Sequence, residues 1–423
     1  MPSLLIRLII ATLLLSTAEA QAESLTLGEC LARAKNSNTS LKVAAYDQKI
    51  AAEGELVGKS GYLPRIDVQG GYTAQLDAQG ISLNGRTVET QQADYAFASL
   101  GIYQTLYDFG RTSARADRAR TVREVSTFNY AGHEQDVFLQ VVTAYFGILH
   151  AQRLLQAAED EVVQMDDHLR IAQNLFQEGI VTRNDLLQAE VRLAGSRQRR
   201  LDSANRLENA WLQLNFLTEQ SPDFRGTLEE ATTVTPPMMS DPDDRSIANR
   251  AEIKAMQKTI EGSDLEVKEN RGGYYPELFT KLGLDYVQNR QVREQTIMAA
   301  TVGLKVNLFD GEATTGRYRQ AVASRSKNEE ALRQLRAAIR LEYRTAANDA
   351  KVSFERIKVA EKSILQGEEN LRINKDRYQA QMGTATDVID AQTLLTQTRT
   401  DYYRSIFDYQ VALARVRKAL GEL

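Results

Sequence analysis

The chain has 423 residues, of which 43% are hydrophobic, 26% charged and only 7% aromatic, a balance closer to long helices than to a compact enzyme. Its formal net charge of −4 gives no electrostatic footprint for nucleic acid, so we expect no nucleic-acid partner. The single cysteine, Cys30, excludes disulfides within the chain and any cysteine-based zinc site.

The N-terminus has the pattern of a cleaved secretory signal. One basic residue, Arg7, precedes an apolar stretch over 8–15, and small residues follow in A-x-A spacing at Ala18, Ala20 and Ala22. The alternative is a membrane anchor, but the apolar run is shorter than the ~20 residues that a spanning helix needs. We therefore expect residues 1–22 to be removed on export, with cleavage after Ala20 or Ala22.

Four stretches alternate between apolar and polar residues, which is the period-2 pattern of a two-faced strand. In the first, even-numbered positions such as Ile66 and Val68 are apolar and the odd-numbered ones are polar, whereas in the second Tyr107 joins the polar face. The segments 78–94 and 287–296 are polar and are interpreted as connecting loops. The sequence thus predicts two hairpins, with strands in 65–77, 95–108, 276–286 and 297–310.

The rest of the mature chain carries apolar residues at helical spacing. Pro64 and Pro276 open the first strand of each hairpin, and four further prolines fall within 221–245. At about 1.5 Å per residue, one uninterrupted segment would form a helix of about 100 Å. The pattern predicts helices over 24–57, 111–178, 183–218, 245–271, 313–381 and 385–421.

The two halves of the chain are related by an internal duplication. An offset of 202 residues superposes "LYD" at 106–108 on "LFD" at 308–310, and Asp185 on Asp387. Each repeat comprises a short helix, a hairpin, a very long helix and a short helix. We divide the chain into a signal peptide (1–22), a first structural repeat (23–220), a proline-rich linker or equatorial segment (221–245) and a second structural repeat (246–423).

The order of several motifs resembles the TolC family of outer-membrane efflux channels. The motifs are "LTLGECLARAKNSNTSL", "GYLPRI", "LYDFGR", "TAYFGIL" and "LFQEGIVTRNDLLQAE", followed by "GYYPEL", "LFDGE" and "RYQAQMGTATDVIDAQ". The resemblance implies a mainly α fold with a β-barrel part, a trimeric channel-tunnel. Four strands per protomer would share one 12-stranded outer-membrane barrel above a long periplasmic α-helical barrel.

The residues by themselves require oligomerisation but do not fix the number of copies. Four strands cannot close a barrel, and lipid tolerates no open sheet edge. Two, three or four chains would give 8, 12 or 16 strands. The resemblance implies a homotrimer.

The strongest candidate site lies in "TDVIDAQ", 386–392. Asp387 and Asp390 are spaced i, i+3, so they share one helix face, where like charges repel each other. The resemblance implies that these acids ring the periplasmic aperture, and that Tyr378 and Asp185 contribute to its closed-state contacts. The alternative is that the acids cap or solvate a helix.

The chain departs from the family at the aperture. Gly383 stands where some members carry a closing arginine, and Gln381 stands where glycine is usual. These departures put the closing contact in question. Arg183 is a candidate substitute for the missing arginine.

Enzyme-like features are weak, and we expect no catalytic residue, cofactor or metal site. "GELVGKS" at 54–60 ends like a P-loop but has Glu53 where the pattern needs glycine. His150 and His168 lie too far apart along one helix to share a metal. The arginine-rich segment 111–123 could bind anions, or it could form the solvated face of a helix.

The resemblance implies an exit duct in the outer membrane of a Gram-negative bacterium, with a large periplasmic portion. It would contact outer-membrane lipid and work with a periplasmic adaptor (membrane fusion) protein and an inner-membrane transporter. Its cargo would be small molecules such as drugs and toxic compounds, or proteins, as in type I secretion. The alternative is a structural periplasmic coiled-coil protein without channel activity, for which four lipid-facing strands would have no use.

Overall fold

The computed structural model describes residues 24–230, 235–236, 247–380 and 382–423. The expected signal peptide, Gln381 and much of the linker lie outside these residues. The contacts within the chain divide it into two compact units. We call them the helical unit (residues up to Val43, Gly132–Arg250 and Ala338–Leu423) and the sheet unit (Ala44–Ala131 and Ala251–Ala337).

Long helices dominate the secondary structure, as the sequence predicts. The two longest have 67 residues each, and the helices that follow them have 36 each. Arg111 and Ala313 open the first pair, and Arg183 and Ala385 open the second, so both pairs keep the offset seen in the sequence. The helices are α1 (Leu27–Ser37), α2 (Thr39–Lys59), α3 (Arg111–Gln177), α4 (Arg183–Thr218), α5 (Ala251–Gly272), α6 (Ala313–Gln379) and α7 (Ala385–Leu420).

The prediction of one helix over 24–57 is wrong at two points. Ser24–Leu25 form a short strand, β1, which pairs in parallel with a strand at Thr227–Leu228. Asn38 interrupts the helix because its side chain replaces the backbone as hydrogen-bond partner: its Oδ1 accepts from the amides of Ser40 (2.9 Å) and Leu41 (3.2 Å). This local competition ends α1 and starts α2.

The predicted strands form one antiparallel four-stranded sheet. Its order is β2-β5-β7-β8, so β2 and β8 are the edge strands. The even-numbered face carries an apolar row in which Val68, Leu100, Leu284 and Met298 are paired across the sheet. The strands are β2 (Arg65–Ala74), β5 (Asp94–Tyr107), β7 (Glu277–Val287) and β8 (Thr296–Lys305).

A β-bulge near the end of β5 changes the direction of one side chain. Thr105 pairs with Phe279, but Tyr107 pairs with Leu278, so one residue is extra on β5. Because neighbouring residues of β7 point to opposite faces, Tyr107 shares the apolar face with Leu278. The expectation that Tyr107 lies on the polar face is therefore wrong.

The segment 78–94 is not a plain loop. It contains β3 (Gln79–Leu83) and β4 (Arg86–Gln91), which form their own two-stranded antiparallel sheet. Asn84 and Gly85 both have positive φ at its tip, as a type I′ turn requires. The "NG" dipeptide was a signal for this hairpin, but the polarity of the surrounding residues concealed it. β6 is the short strand Thr227–Leu228 already mentioned.

The arginine-rich segment of α3 is held by carboxylates within the sheet unit. Arg115 contacts Glu269 at 3.0 Å, and Arg123 contacts Glu55 at 2.8 Å. Arg118 lies 3.5 Å from Glu269 and 3.6 Å from Glu266. These arginines therefore join helices α2, α3 and α5 rather than presenting a free anion site.

Candidate functional site

Two helix-turn-helix ends of the helical unit carry the predicted site residues. At the end of α3, the Ile180 amide donates to the Leu175 carbonyl at 2.9 Å, and at the end of α6 the Met382 amide donates to the Arg377 carbonyl at 2.8 Å. Both are the closures with which a helix ends in a Schellman-type turn. The chain reverses at equivalent places in the two repeats.

The first acid of each turn closes a capping box. The Asp185 amide donates to the Thr182 hydroxyl (3.3 Å), and the Asp185 carboxylate accepts from the Thr182 amide (2.9 Å). Thr384 and Asp387 repeat the arrangement at 3.2 Å and 2.9 Å. These bonds stabilise the charged carboxylates, with the Thr182 hydroxyl acting most strongly on Asp185 and the Thr384 amide on Asp387, and so lower the pKa of both. The sequence left open that Asp387 caps a helix, and in the structure Asp387 is part of the capping box of α7.

Asp390 differs from Asp387 in having no such role. It lies on the exposed face of α7, one turn after Asp387. Across the described residues, no cationic group lies within 4.0 Å of its carboxylate. Its charge is therefore available to solvent at the end of the helix pair.

Arg377, which the sequence reasoning did not single out, is the cation beside Asp387. Its charge contributes to the lowered pKa of Asp387, and its Nη2 donates to the Met382 carbonyl at 3.4 Å. A Cβ on Gly383 would lie 3.2 Å from the Cβ of Arg377, so the glycine permits this close approach. Arg183, the suggested substitute, is an exposed first residue of α4.

Tyr378 is the second-last residue of α6. It lines a cavity of about 490 Å³ with residues of α3 and α7, among them His168 and Ile389. Burial raises the pKa of Tyr378 and lowers that of His168. No hydrogen bond described in this chain joins Tyr378 or Asp185 to Asp387 or Asp390. The structure thus places three of the four residues at the α6–α7 turn and the fourth, Asp185, at the α3–α4 turn.

The model of the outer membrane efflux protein family matches residues 30–219 and 244–422. This chain belongs to that family. The resemblance seen in the sequence is thereby confirmed, and members of the outer membrane efflux protein family are transport proteins rather than enzymes.

Individual relatives are distant but cover nearly the whole chain. Outer membrane protein TolC of Vibrio cholerae is 22% identical over 408 residues, covering 94% of this chain and 91% of that protein. The alkaline protease secretion protein AprF of Pseudomonas aeruginosa is 21% identical over 429 residues, covering 98% and 87%. The crystal structure of the Campylobacter jejuni CmeC outer membrane channel superposes with a TM-score of 0.84 at 16% identity, covering 94% of this chain and 85% of that one.

Family membership gives location and general activity. The protein is an outer-membrane efflux protein of Gram-negative bacteria, with a large periplasmic helical tunnel, and it acts as an exit duct in efflux or secretion. Its mainly helical fold with a few strands matches the channel structures. In the described part of the chain, no helix is long and apolar enough to cross a membrane.

Proposed function

We propose that three copies of this chain share one 12-stranded barrel in the outer membrane, continuous with a periplasmic α-helical barrel. The observation that carries this proposal is the open sheet. Among the described strands β2 pairs only with β5 and β8 only with β7, so each keeps one unpaired edge. Because lipid cannot satisfy those backbone groups, the edge of one copy must pair with the edge of the next.

The two faces of the sheet support an assembly with lipid outside and water inside. On the even face, Val68 and Met298 leave 80% and 79% of their surface exposed, which is costly for apolar side chains in water. On the odd face, Lys281 pairs with Tyr103 and Thr301. The even face would meet lipid, and the odd face would line a wet pore.

The duct is proposed to work with a periplasmic adaptor and an inner-membrane transporter. Members of the family act in multicomponent efflux and secretion systems, and the name of AprF connects that relative with export of a protease. The cargo of this chain is accordingly proposed to be small toxic molecules or an unfolded protein. The domain division of the sequence, with a signal peptide over 1–22 and two repeats joined by 221–245, belongs to the same proposal.

The periplasmic aperture is proposed to lie at the α6–α7 turn. Asp387 and Asp390 of three chains would form a ring of six carboxylates, with Tyr378 and Asp185 holding the closed state. Support comes from the position of Asp387 in the first turn of α7, with Asp390 one turn later, and from the absence among the described residues of a cation within 4.0 Å of Asp390. Arg377 replaces Arg183 in this proposal as the cation that could hold the closed turn.

The test uses the purified mature protein in detergent and in planar bilayers. We expect an SDS-resistant trimer that conducts ions, because barrel closure buries every strand edge. Unheated and boiled samples on the same gel provide the control for assembly. A stable monomer that needs no detergent would contradict the proposed duct and favour a structural periplasmic coiled-coil protein without channel activity.

A further inference from the structure

An aromatic stack lies where β5 leaves the sheet. Tyr107 and Phe109 contact edge to face with ring centroids 4.8 Å apart, and Phe109 stacks on Tyr275 at 4.9 Å. All three side chains nevertheless remain exposed, by 57%, 42% and 43% respectively. Rings that contact each other but keep one side uncovered form a surface, not a core.

The stack continues the apolar face of the sheet. The bulge after Thr105 turns Tyr107 to the face of Leu278, which is the even-numbered face. Tyr275 stands two residues before β7 begins at Glu277, so the stack lies at one end of the strands. Tyrosine at such a level presents a ring to hydrocarbon and a hydroxyl to headgroups and water.

One cation lies beside this stack, and a second follows it on α5. Gly110 follows Phe109 with φ +86°, and a Cβ there would lie 3.5 Å from Cε of Lys268. Arg271 is one helical turn further along α5, and both side chains are exposed. Within the part of the chain that the structure describes, no carboxylate lies within 4.0 Å of either cation.

The corresponding position in the first repeat is neutralised. Lys59 is the last residue of α2 and Arg271 is the second-last residue of α5, and each helix is followed by a strand of the same sheet. Lys59 Nζ contacts the Glu55 carboxylate at 2.6 Å. Among the residues that the structure describes, positive charge without a carboxylate partner is therefore concentrated at the second junction.

We propose that Tyr107, Phe109, Tyr275, Lys268 and Arg271 form a binding site for an anionic glycerophospholipid. The cations bind the phosphate, whose negative charge is not neutralised within the headgroup, and the rings contact the glycerol and the upper acyl chains. Lysine and arginine can reach headgroups while their methylene stems lie along the rings. The inference rests on the proposed barrel, in which the even face meets lipid.

The experiment is native mass spectrometry of the full-length mature trimer in a neutral detergent. Dioleoyl phosphatidylglycerol and dioleoyl phosphatidylcholine are titrated separately, so that the acyl chains are identical and only the headgroup charge differs. We expect wild type to prefer phosphatidylglycerol. Each basic residue near an anionic lipid surface contributes about 1 kcal/mol, so Lys268→Gln and Arg271→Gln should each weaken phosphatidylglycerol binding about fivefold. Phosphatidylcholine binding should stay constant.

The matched control is Lys59→Gln. It removes a cation at the same end of the sheet, but one whose charge Glu55 already neutralises. It should change phosphatidylglycerol binding less than twofold. The proposal is overturned if wild type shows no headgroup preference. It is overturned equally if the variants of Lys268 and Arg271 form trimers that still prefer phosphatidylglycerol as strongly as wild type. It is also overturned if Lys59→Gln weakens binding as much as they do. Failure of wild type to form a trimer would instead contradict the proposed barrel.

Discussion

At the scale of single residues, the two acids of the α6–α7 turn have different local roles. Asp387 is held by Thr384, whereas the described residues offer Asp390 no cation. Asp387 keeps its negative charge near neutral pH, because the Thr384 amide lowers its pKa below the ordinary value of about 3.9. A ring of such charges would concentrate cations in a narrow aqueous opening.

Neutralising the pair should change ion selectivity. We expect Asp387→Asn with Asp390→Asn to weaken cation preference and to reduce block by trivalent cations from the periplasmic side. The measurement is the reversal potential across a salt gradient in planar bilayers, with block tested from each side in turn. Asp401→Asn, on the same helix but away from the turn, is the control. An unchanged reversal potential and unchanged block would leave Asp387 as a helix cap and Asp390 as a solvated acid.

The capping threonine gives a second prediction. Thr384→Ala removes the hydroxyl that accepts from the Asp387 amide, at a cost of about 1 kcal/mol for the end of α7. Amide exchange in the first turn of α7 should become about fivefold faster where it proceeds by local opening. Thr386→Ala changes the same turn without touching the cap and should leave exchange nearly constant. Equal exchange rates in both variants would contradict the capping role.

The same cap has a defined pH dependence. Because the pKa of Asp387 is lower in the folded chain than in the unfolded one, its stabilising contribution is complete above about pH 4. It is lost as the pH falls through the lowered folded pKa. We therefore expect amide exchange in the first turn of α7 to show no change in opening between about pH 5 and pH 8. Opening driven by protonation of Asp387 in that range would contradict the assignment.

At the scale of elements, the structure indicates where a charge on the lipid-facing side of the sheet should cost the most stability. Leu282 lies on an inner strand and pairs with both Ile102 and Ala300, whereas Leu304 is the second-last residue of β8. Leu282→Arg should therefore cost ~2–4 kcal/mol and impair trimer assembly, and Leu304→Arg, near the membrane boundary, should cost only ~0–1 kcal/mol. The readout is the SDS-resistant fraction at increasing temperature.

Lys281→Glu is the matched pore-face variant beside Leu282. It should assemble normally, because Tyr103 and Thr301 oppose it and neither carries a like charge. Lys305→Glu is a poorer choice, since Lys305 pairs with Glu277 and the change would put two acids opposite each other. If Leu282→Arg and Lys281→Glu assemble equally well, the assignment of the faces is wrong.

Periodic patterns made the elements predictable, and local side-chain chemistry made the exceptions. Period-2 and helical spacing placed the four sheet strands and the long helices to within a few residues, apart from the early end of β8. The break at Asn38 escaped prediction because one side chain competes with the helix for its amides. The bulge before Tyr107 escaped because its register depends on β7, far along the chain.

The candidate site was less accessible to sequence reasoning than the fold. The spacing of Asp387 and Asp390 placed both on α7, but the capping box depends on the backbone angles at Thr384, whose ψ is 155°. A "T-x-x-D" pattern before each short helix could have signalled it. The proximity of Arg377 follows from the tight turn at Gly383 and has no sequence pattern of its own.

At the scale of the whole molecule, the proposed barrel closes only if β2 of one copy pairs with β8 of the next. Within one copy, β2 and β8 lie at opposite edges of the four-stranded sheet, so cysteines placed on them should form disulfides only between copies. Paired Cα atoms of adjacent strands lie ~4.5–5.5 Å apart, which is within reach of a disulfide. We expect Val68→Cys, combined in turn with Met298→Cys, Ala300→Cys or Val302→Cys, to give a covalent trimer on oxidation for one register. Each single variant, with buried Cys30 unchanged, is the control. Cross-linking in no combination would contradict closure through these edges.

The β3–β4 hairpin makes the two strand connections of each copy unequal in length. Each copy would contribute one hairpin with a paired tip at Asn84–Gly85 and one shorter connection between β7 and β8. Twelve similar strands would thus end in only three large projections facing the surroundings of the cell. Since the hairpin completes its own hydrogen bonds in a separate two-stranded sheet, substitutions at its tip should leave the pairing of the four sheet strands unchanged. The outermost part of the molecule could then vary in sequence while the conduit beneath it stays the same.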